Sequence, residues 1–229
     1  FAQSKLPRGS RWRGSALAEL GNSLESQAKY EEALKVHQDA YQFLKDHLGD
    51  LNPWTVTARS NICDVISSLG KYKETLSIRE EILLDVKSMY GEEHPRAAGS
   101  FRSLSTALER NGKYLEALDA IDFGLGIICK TYGKDHPQYA RFLFTKAQCL
   151  GNLGRYSEAL ELARECHSIN LRHYPERHPS IGSDHACIGH LLDKLHNYKA
   201  AKHHLFVSYE IDKSIYGDEH LATGTAGNN

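Results

Sequence analysis

A nine-residue stretch that recurs at a fixed interval constrains the fold of this chain more than any other feature. YGEEHPRAA begins at Tyr90, YGKDHPQYA at Tyr132 and YPERHPSIG at Tyr174, so successive copies are 42 residues apart. The same register holds LGDLNPWTV from Leu48 and YGDEHLATG from Tyr216. Five copies at an unbroken period indicate tandem structural repeats, each of which buries its apolar face against its neighbours.

A second marker keeps the same 42-residue interval. Its copies are AKYEEAL at 28–34, GKYKETL at 70–76, GKYLEAL at 112–118, GRYSEAL at 154–160 and HNYKAAK at 196–202. Because no insertion or deletion shifts either marker, each repeat is expected to have the same element lengths.

Within one repeat the apolar residues are spaced as on two successive helices. Phe101, Leu104 and Leu108 lie at i, i+3 and i+7, and Ile121 and Leu125 continue a helical spacing after Gly112. Gly112 itself follows the first helix, where glycine is favoured. We predict ten helices, near 14–27, 30–47, 54–69, 72–89, 96–111, 114–131, 138–153, 156–173, 180–195 and 198–215.

The histidine of the linker precedes a proline, which is well tolerated in the first turn of a helix because it lacks only an N–H that would be unpaired there. The residues at this position are Asn52, His94, His136, His178 and His220. Asparagine is a strong N-cap residue. We therefore predict that this position caps the first helix of each repeat and does not act in catalysis.

Small residues recur at two positions of the repeat that are twelve residues apart. The first position holds Gly21, Cys63, Ser105, Ala147 and Gly189, and the second holds Ala33, Thr75, Ala117, Ala159 and Ala201. Together with the Y-x-E-A-L marker, this pattern resembles the tetratricopeptide repeat, a helix–turn–helix unit. The 42-residue period and the G-x-x-H-P linker are similar to the repeats of kinesin light chain, and also to nephrocystin-like and NLR-type arrays.

The resemblance implies an all-α fold, namely a right-handed α-solenoid (superhelix) of five tandem helix–turn–helix repeats. The repeats are expected near 12–53, 54–95, 96–137, 138–179 and 180–221. We expect residues 1–13 to form an N-terminal lead-in, residues 14–219 to form the array, and residues 220–229 to begin a truncated further repeat or a tail.

Composition argues against several classes of partner. The chain has 28 basic and 29 acidic residues, so it lacks the basic excess typical of proteins that bind nucleic acid or anionic membranes. No apolar run is long enough to span a membrane. The five cysteines show no CxxC spacing, which favours reduced, mostly buried thiols and a cytoplasmic protein.

Sequence motifs for catalysis are likewise missing. The chain has no glycine-rich phosphate loop, no HExxH and no GxSxG. Cys166 and His167, and also His203 and His204, are neighbours in sequence, but adjacent helical residues point roughly 100° apart. Neither pair forms a chelate by itself, so we expect no enzyme activity, no metal and no cofactor.

Candidate ligand-binding residues lie on the polar side of the first helices, which are expected to line a concave wall. They are Asn22; Ser60, Asn61 and Asp64; Arg102, Thr106 and Arg110; Arg141, Thr145 and Gln148; and His190. The resemblance assigns Asn61 to a position that contributes to cargo-peptide binding in kinesin light chain. For each residue the alternative is an ordinary solvated helix face.

The function expected from these features is non-catalytic binding of a protein or peptide, as an adaptor or scaffold within a larger protein. Arg102 and Arg141 are predicted to make the middle of the wall positive, with Asp64 and Glu109 offsetting part of the charge. This favours an acidic segment as the ligand. The alternative is a structural spacer or self-association segment, including the repeat region of an NLR-type receptor, which holds no peptide.

Overall fold

The computed structural model describes the backbone of residues 8–217 and the side chains of residues 12–217. Within this range the chain forms ten helices and no strand. They are α1 (Arg8–Ser26), α2 (Tyr30–Leu48), α3 (Pro53–Ser68), α4 (Tyr72–Tyr90), α5 (Pro95–Arg110), α6 (Tyr114–Tyr132), α7 (Pro137–Asn152), α8 (Tyr156–His173), α9 (Pro179–Lys194) and α10 (Tyr198–Tyr216). The predicted all-α solenoid class, built from tandem helix–turn–helix repeats, is confirmed.

Nine of the ten helices begin and end within one residue of the predicted bounds. The exception is α1, which begins at Arg8 rather than near residue 14. The other four first helices each start at a proline, whereas no proline interrupts the segment from Arg8 to Gly14. Residues 8–13, expected to be a lead-in, therefore belong to α1. Residues 1–7, the predicted tail 220–229 and His220 lie outside the described residues.

The linker residue before each proline caps the following helix. The side chain of Asn52 accepts a hydrogen bond of 3.0 Å from the Trp54 backbone N–H. His94, His136 and His178 do the same through Nδ1, each accepting from the N–H two residues later at 3.1 Å. The predicted N-cap role is confirmed at these four positions, and it satisfies backbone donors that the helix itself cannot pair.

Each capping histidine also stacks on the tyrosine four residues before it. This tyrosine is the last residue of the preceding helix at Tyr90 and Tyr132, and the first residue after it at Tyr174. The ring centroids of the three Tyr–His pairs are 5.0 Å apart at His94, 4.7 Å at His136 and 4.1 Å at His178. The joint before Asn52 has Leu48 at the tyrosine position. The three later joints thus share an aromatic contact that the first joint cannot make.

The turn inside each repeat places one residue in the left-handed region of backbone space. Gly70, Gly112 and Gly154 adopt φ values of 76°, 75° and 77°, but Ala28 and His196 hold the same position with φ of 58° and 61°. A residue with a Cβ is strained in this region, whereas glycine is not. The first and last repeats therefore carry a local strain that the inner repeats avoid.

The helices are grouped in two compact units, residues 1–111 and 112–229. In unit 1, which contains α1–α5, each helix packs on the next and α1 also contacts α3. In unit 2, which contains α6–α10, each helix again packs on the next and α7 also contacts α9. The first helices α1 and α3 of unit 1, and likewise α7 and α9 of unit 2, thus lie side by side.

The core of unit 1 illustrates how successive repeats are joined. Val56 of α3, Ile82 and Val86 of α4, and Ala97 of α5 are buried together, and partly buried side chains such as Phe101 pack against them. Because this cluster combines residues of two repeats, the interface between repeats is itself part of the hydrophobic core.

We predict that Ala28→Gly stabilises the protein by about 1 kcal/mol, because glycine removes the left-handed strain at an exposed turn. The matched control is Gly154→Ala, which should destabilise by a similar amount. A Cβ at Gly154 meets nothing within 4 Å, so any loss there comes from the backbone alone. Denaturant unfolding measures both variants, and a less stable Ala28→Gly protein would contradict the assignment.

Candidate functional site

A cavity of about 270 Å³ opens between the first helices α3 and α5 of unit 1, with α4 forming its floor. Its walls contain five of the eleven predicted ligand-binding residues, which are Ser60, Asp64, Arg102, Thr106 and Arg110. The spacings 60, 64 on α3 and 102, 106, 110 on α5 place these side chains on one face of each helix. Five residues selected from the sequence thus line one cavity, and their role in ligand binding stays a prediction.

The floor contains Arg79 of α4, a residue that the sequence analysis did not select. Only 7% of Arg79 is exposed, and its guanidinium forms an ion pair with the Asp64 carboxylate. The same Nη2 donates to the Ser60 carbonyl at 3.5 Å. Arg79 thus links the floor to the α3 wall, and its charge lies directly beneath the cavity.

A signal for Arg79 was present in the repeat register. The equivalent residues of the later repeats are Ile121, Ala163 and Leu205, all apolar, as a second helix packed on both sides requires. An arginine at a position that is apolar in the three later repeats is an exception to the pattern, as is His37 in the first repeat. Arg79 was not predicted because the candidate residues were taken only from the polar side of the first helices.

The electrostatic character of the cavity is positive. Its lining includes Arg79, Arg102 and Arg110, against one carboxylate from Asp64. The Arg110 guanidinium lies 5.7 Å from the centroid of the Tyr72 ring, a cation–π distance that helps to orient it. Guanidinium groups bind carboxylates through paired N–H donors, so this lining is suited to an acidic group.

A second cavity, of about 200 Å³, adjoins the first and shares Ser60, Arg79 and Ser103 with it. Its floor is apolar and includes Ile82, Val86 and Met89 of α4. Unit 1 therefore offers a hydrogen-bonding, basic cavity beside an apolar one, with Arg79 at their boundary.

The other predicted residues are distributed over both units. Asn22 of α1 is exposed and Asn61 of α3 is half-buried; in unit 2, Arg141 and Gln148 of α7 and His190 of α9 are exposed. Their helices present them as the sequence pattern required, but none lines the α3–α5 cavity. A shared positive wall made by Arg102 and Arg141 stays a prediction, since the two residues belong to different units.

The expectation was wrong for Thr145. Only 4% of this residue is exposed, and its hydroxyl donates to the Arg141 carbonyl at 3.1 Å. Thr145 lies three residues after Phe142 and four before Cys149, both buried, so it belongs to the buried stripe of α7. Because Thr145 is buried, its hydroxyl is not accessible to a ligand.

The described residues also bear on thiol reactivity, metal binding and membrane spanning. All five cysteines are free thiols, and burial raises the pKa of Cys63 to about 11 and that of Cys187 to about 12. Thiols with raised pKa values are poor nucleophiles at neutral pH. Among the described residues, no group of three His, Cys, Asp or Glu side chains is arranged to hold a metal ion. No described helix has the length and apolar character needed to cross a membrane.

Two family models match the chain, and both are described as tetratricopeptide repeat. One covers residues 13–53 and the other covers residues 101–171. No curated protein matches the chain.

Solved structures share the fold at low sequence identity. A protein from Podosopora anserina, described as a kinesin light chain with nearly identical TPR-like repeats, has a TM-score of 0.69 and 19% identity, over 91% of this chain and 98% of that one. BtubC (BKLC) from P. vanneervenii has a TM-score of 0.69 and 11% identity, over 88% of this chain and 80% of that one. Bacillus thuringiensis PlcR, in complex with the peptide PapR7 and DNA, has a TM-score of 0.75 and 15% identity, over 98% of this chain and 77% of that one.

We predict that the two partners of the Arg79–Asp64 ion pair differ in their effect on stability. Asp64→Ala should destabilise unit 1 by about 1 kcal/mol, because it leaves a buried guanidinium without its carboxylate. Arg79→Leu should be nearly neutral, because Asp64 is exposed to water and leucine occupies the equivalent position at Leu205. Thermal unfolding of both variants checks this order, and a larger loss in Arg79→Leu would refute it.

Proposed function

We propose that this chain, a member of the tetratricopeptide repeat family, binds a peptide segment of a partner protein in the α3–α5 cavity of unit 1. Members of this family are generally non-catalytic protein-interaction modules. The proposed role of this chain is that of an adaptor or scaffold within a larger protein, which holds the partner close to the rest of that protein. No reaction is assigned to the site.

The observation that carries this proposal is the convergence of predicted and observed residues in one cavity. Ser60 and Asp64 reach it from α3, Arg102 and Thr106 reach it from α5, and Arg79 supplies a charge from below. Hydroxyl and guanidinium groups can hydrogen-bond the backbone carbonyls and side chains of an extended segment. Among the proteins of similar fold, the PlcR structure contains a peptide, which agrees with binding in this architecture.

The proposed ligand is acidic. Three arginines outweigh the one aspartate in the lining, and a carboxylate from the ligand can accept from Arg102 or Arg110, or share Arg79 with Asp64. Charge-assisted hydrogen bonds of this kind contribute about 1.5–3 kcal/mol each. The neutral balance of the whole chain means that this preference is local to the cavity and does not extend to polyanions in general.

Asn22 and Asn61 remain proposed ligand contacts of unit 1, and Arg141, Gln148 and His190 remain proposed ligand contacts of unit 2. They are exposed or half-buried, so each can reach a ligand without rearrangement of the core. Thr145 is not among them.

The test selects peptides from a displayed random library against the whole chain and measures the Kd of a selected peptide by fluorescence anisotropy. We expect the selected peptides to be rich in Asp and Glu. Arg102→Glu and Arg110→Glu should each weaken binding by about ten- to a hundredfold, because each replaces a charge-assisted hydrogen bond by repulsion. Helicity and melting temperature should be nearly unchanged, since Arg110 is exposed and Arg102 is half-buried at the cavity.

The matched control is Lys73→Glu, which reverses an exposed charge on α4 outside the cavity lining and should leave the Kd unaltered. Arg79→Leu provides a further test, because it should lower peptide affinity without unfolding unit 1. Selection of peptides without acidic residues, or an unaltered Kd in Arg102→Glu, Arg110→Glu and Arg79→Leu, would reject the proposal. Concentration-dependent dimers that persist in Arg102→Glu, with no peptide selected, would favour the self-association alternative.

A further inference from the structure

Unit 2 contains a cluster of three histidines that the proposed peptide site does not use. His167 of α8, His185 of α9 and His204 of α10 form this histidine cluster. The ring centroids of His167 and His185 are 4.7 Å apart, and those of His185 and His204 are 5.0 Å apart. Because each ring comes from a different helix, the cluster joins three helices through side chains that can be charged.

The contact between His185 and His204 requires that at least one of the two rings is neutral. Their Nδ1 atoms are 2.9 Å apart, which is a hydrogen bond only if one nitrogen carries a proton and the other offers its lone pair. Protonation of both rings would leave two N–H groups facing each other. The attraction that holds α9 and α10 together at this point would then become a repulsion.

The surroundings offer little compensation for such a charge. Asp184 is 2% exposed, and it already accepts from Asn170 Nδ2 at 2.8 Å and from the Cys166 thiol at 3.3 Å. His167 Nδ1 lies 3.4 Å from the Asp184 carboxylate. The Asp184 carboxylate is therefore committed to Cys166, Asn170 and His167 of α8.

Burial and most of the nearby charges lower the pKa values of His185 and His204. Burial, followed by the charges of His167 and His204, lowers the pKa of His185 to about 4, and Asp184 opposes this only in part. Burial also lowers the pKa of His204, with His203 of α10 and with His167 and Arg164 of α8 acting in the same sense.

We propose that the contact between His185 and His204 in the histidine cluster is an acid-sensitive latch, which fastens α10 to α9 while at least one of these two rings is neutral and releases α10 when both take up protons. The released element is the second helix of the fifth repeat. Acid would thus open unit 2 at one defined helix while the other helices remain packed.

The pH range follows from linkage between protonation and opening. In the open form, His185 regains its ordinary pKa of 6.5, whereas in the closed form its pKa is about 4. The open form therefore binds the proton first, so the latch holds fully above pH 6.5 and weakens as the pH falls towards 4. Between pH 7 and pH 5 the opening equilibrium constant of α10 should rise about twentyfold from His185 alone, and His204 adds in the same direction.

Hydrogen exchange of the whole chain, corrected for the intrinsic pH dependence of exchange, measures this opening helix by helix. We expect the protection of α10 to fall about twentyfold or more between pH 7 and pH 5, while α6 in the same unit keeps its protection. His185→Gln should remove most of this pH dependence. The matched control His47→Gln, at an exposed histidine of α2, should preserve it. Equal protection of α10 at both pH values, or an unchanged pH dependence in His185→Gln, would overturn the latch.

Two measurements on the unmodified protein keep the proposal testable if a variant fails to fold. The NMR signal of the His185 ring should titrate near pH 4 in the folded chain; a midpoint near 6.5 would reject the latch. Addition of Zn²⁺ should leave the melting temperature unchanged. A Zn²⁺-dependent rise that is lost in His185→Gln would assign the cluster to a metal and overturn the proposal.

Discussion

The close approach of the two helices within a repeat is the constraint on which the rest of the structure depends. Small residues occupy both sides of the crossing, and all of them are buried. In the second repeat the helices are near enough for the Cys63 thiol to donate to the Thr75 carbonyl at 3.4 Å. In the fifth, a Cβ on Gly189 would lie 2.7 Å from Leu205. This spacing sets where each first helix lies relative to its partner, and thereby the cavity between α3 and α5.

The period of 42 residues was sufficient to predict the fold, because register, capping residues and apolar spacing all agree at every repeat. The same periodic reasoning found the cavity walls, but it failed where a residue departs from the pattern. Thr145 has a polar side chain on a buried stripe, and Arg79 is a charge at an apolar position. Helix periodicity predicts which face of the helix a residue occupies. It does not predict which polar side chains can be buried because a partner such as Asp64 pairs with them.

Repeats with one backbone differ in the polar groups that they bury. The position of Arg79 in the second repeat is held by His37 in the first, where the ring lies 2.8 Å from Glu25 Oε1. Gly21 makes this possible, because a Cβ there would be 2.4 Å from the His37 ring. The histidine cluster is a third case. Its three rings come from three different helices, and the sequence gave no reason to expect them in contact. The charged and titratable side chains inside this protein thus occur where a residue departs from the repeat pattern.

The stacked tyrosine and histidine at the linkers have a mechanical consequence. Each stack joins the C-terminal end of one second helix to the cap of the following first helix, so it resists bending at that joint directly, in addition to core packing. The joint between α2 and α3 has Leu48 and Asn52 instead, and it retains the cap without the aromatic brace. Stiffness is therefore uneven along the chain, and we expect the joint between α2 and α3 to be more compliant than the three joints that carry a stack.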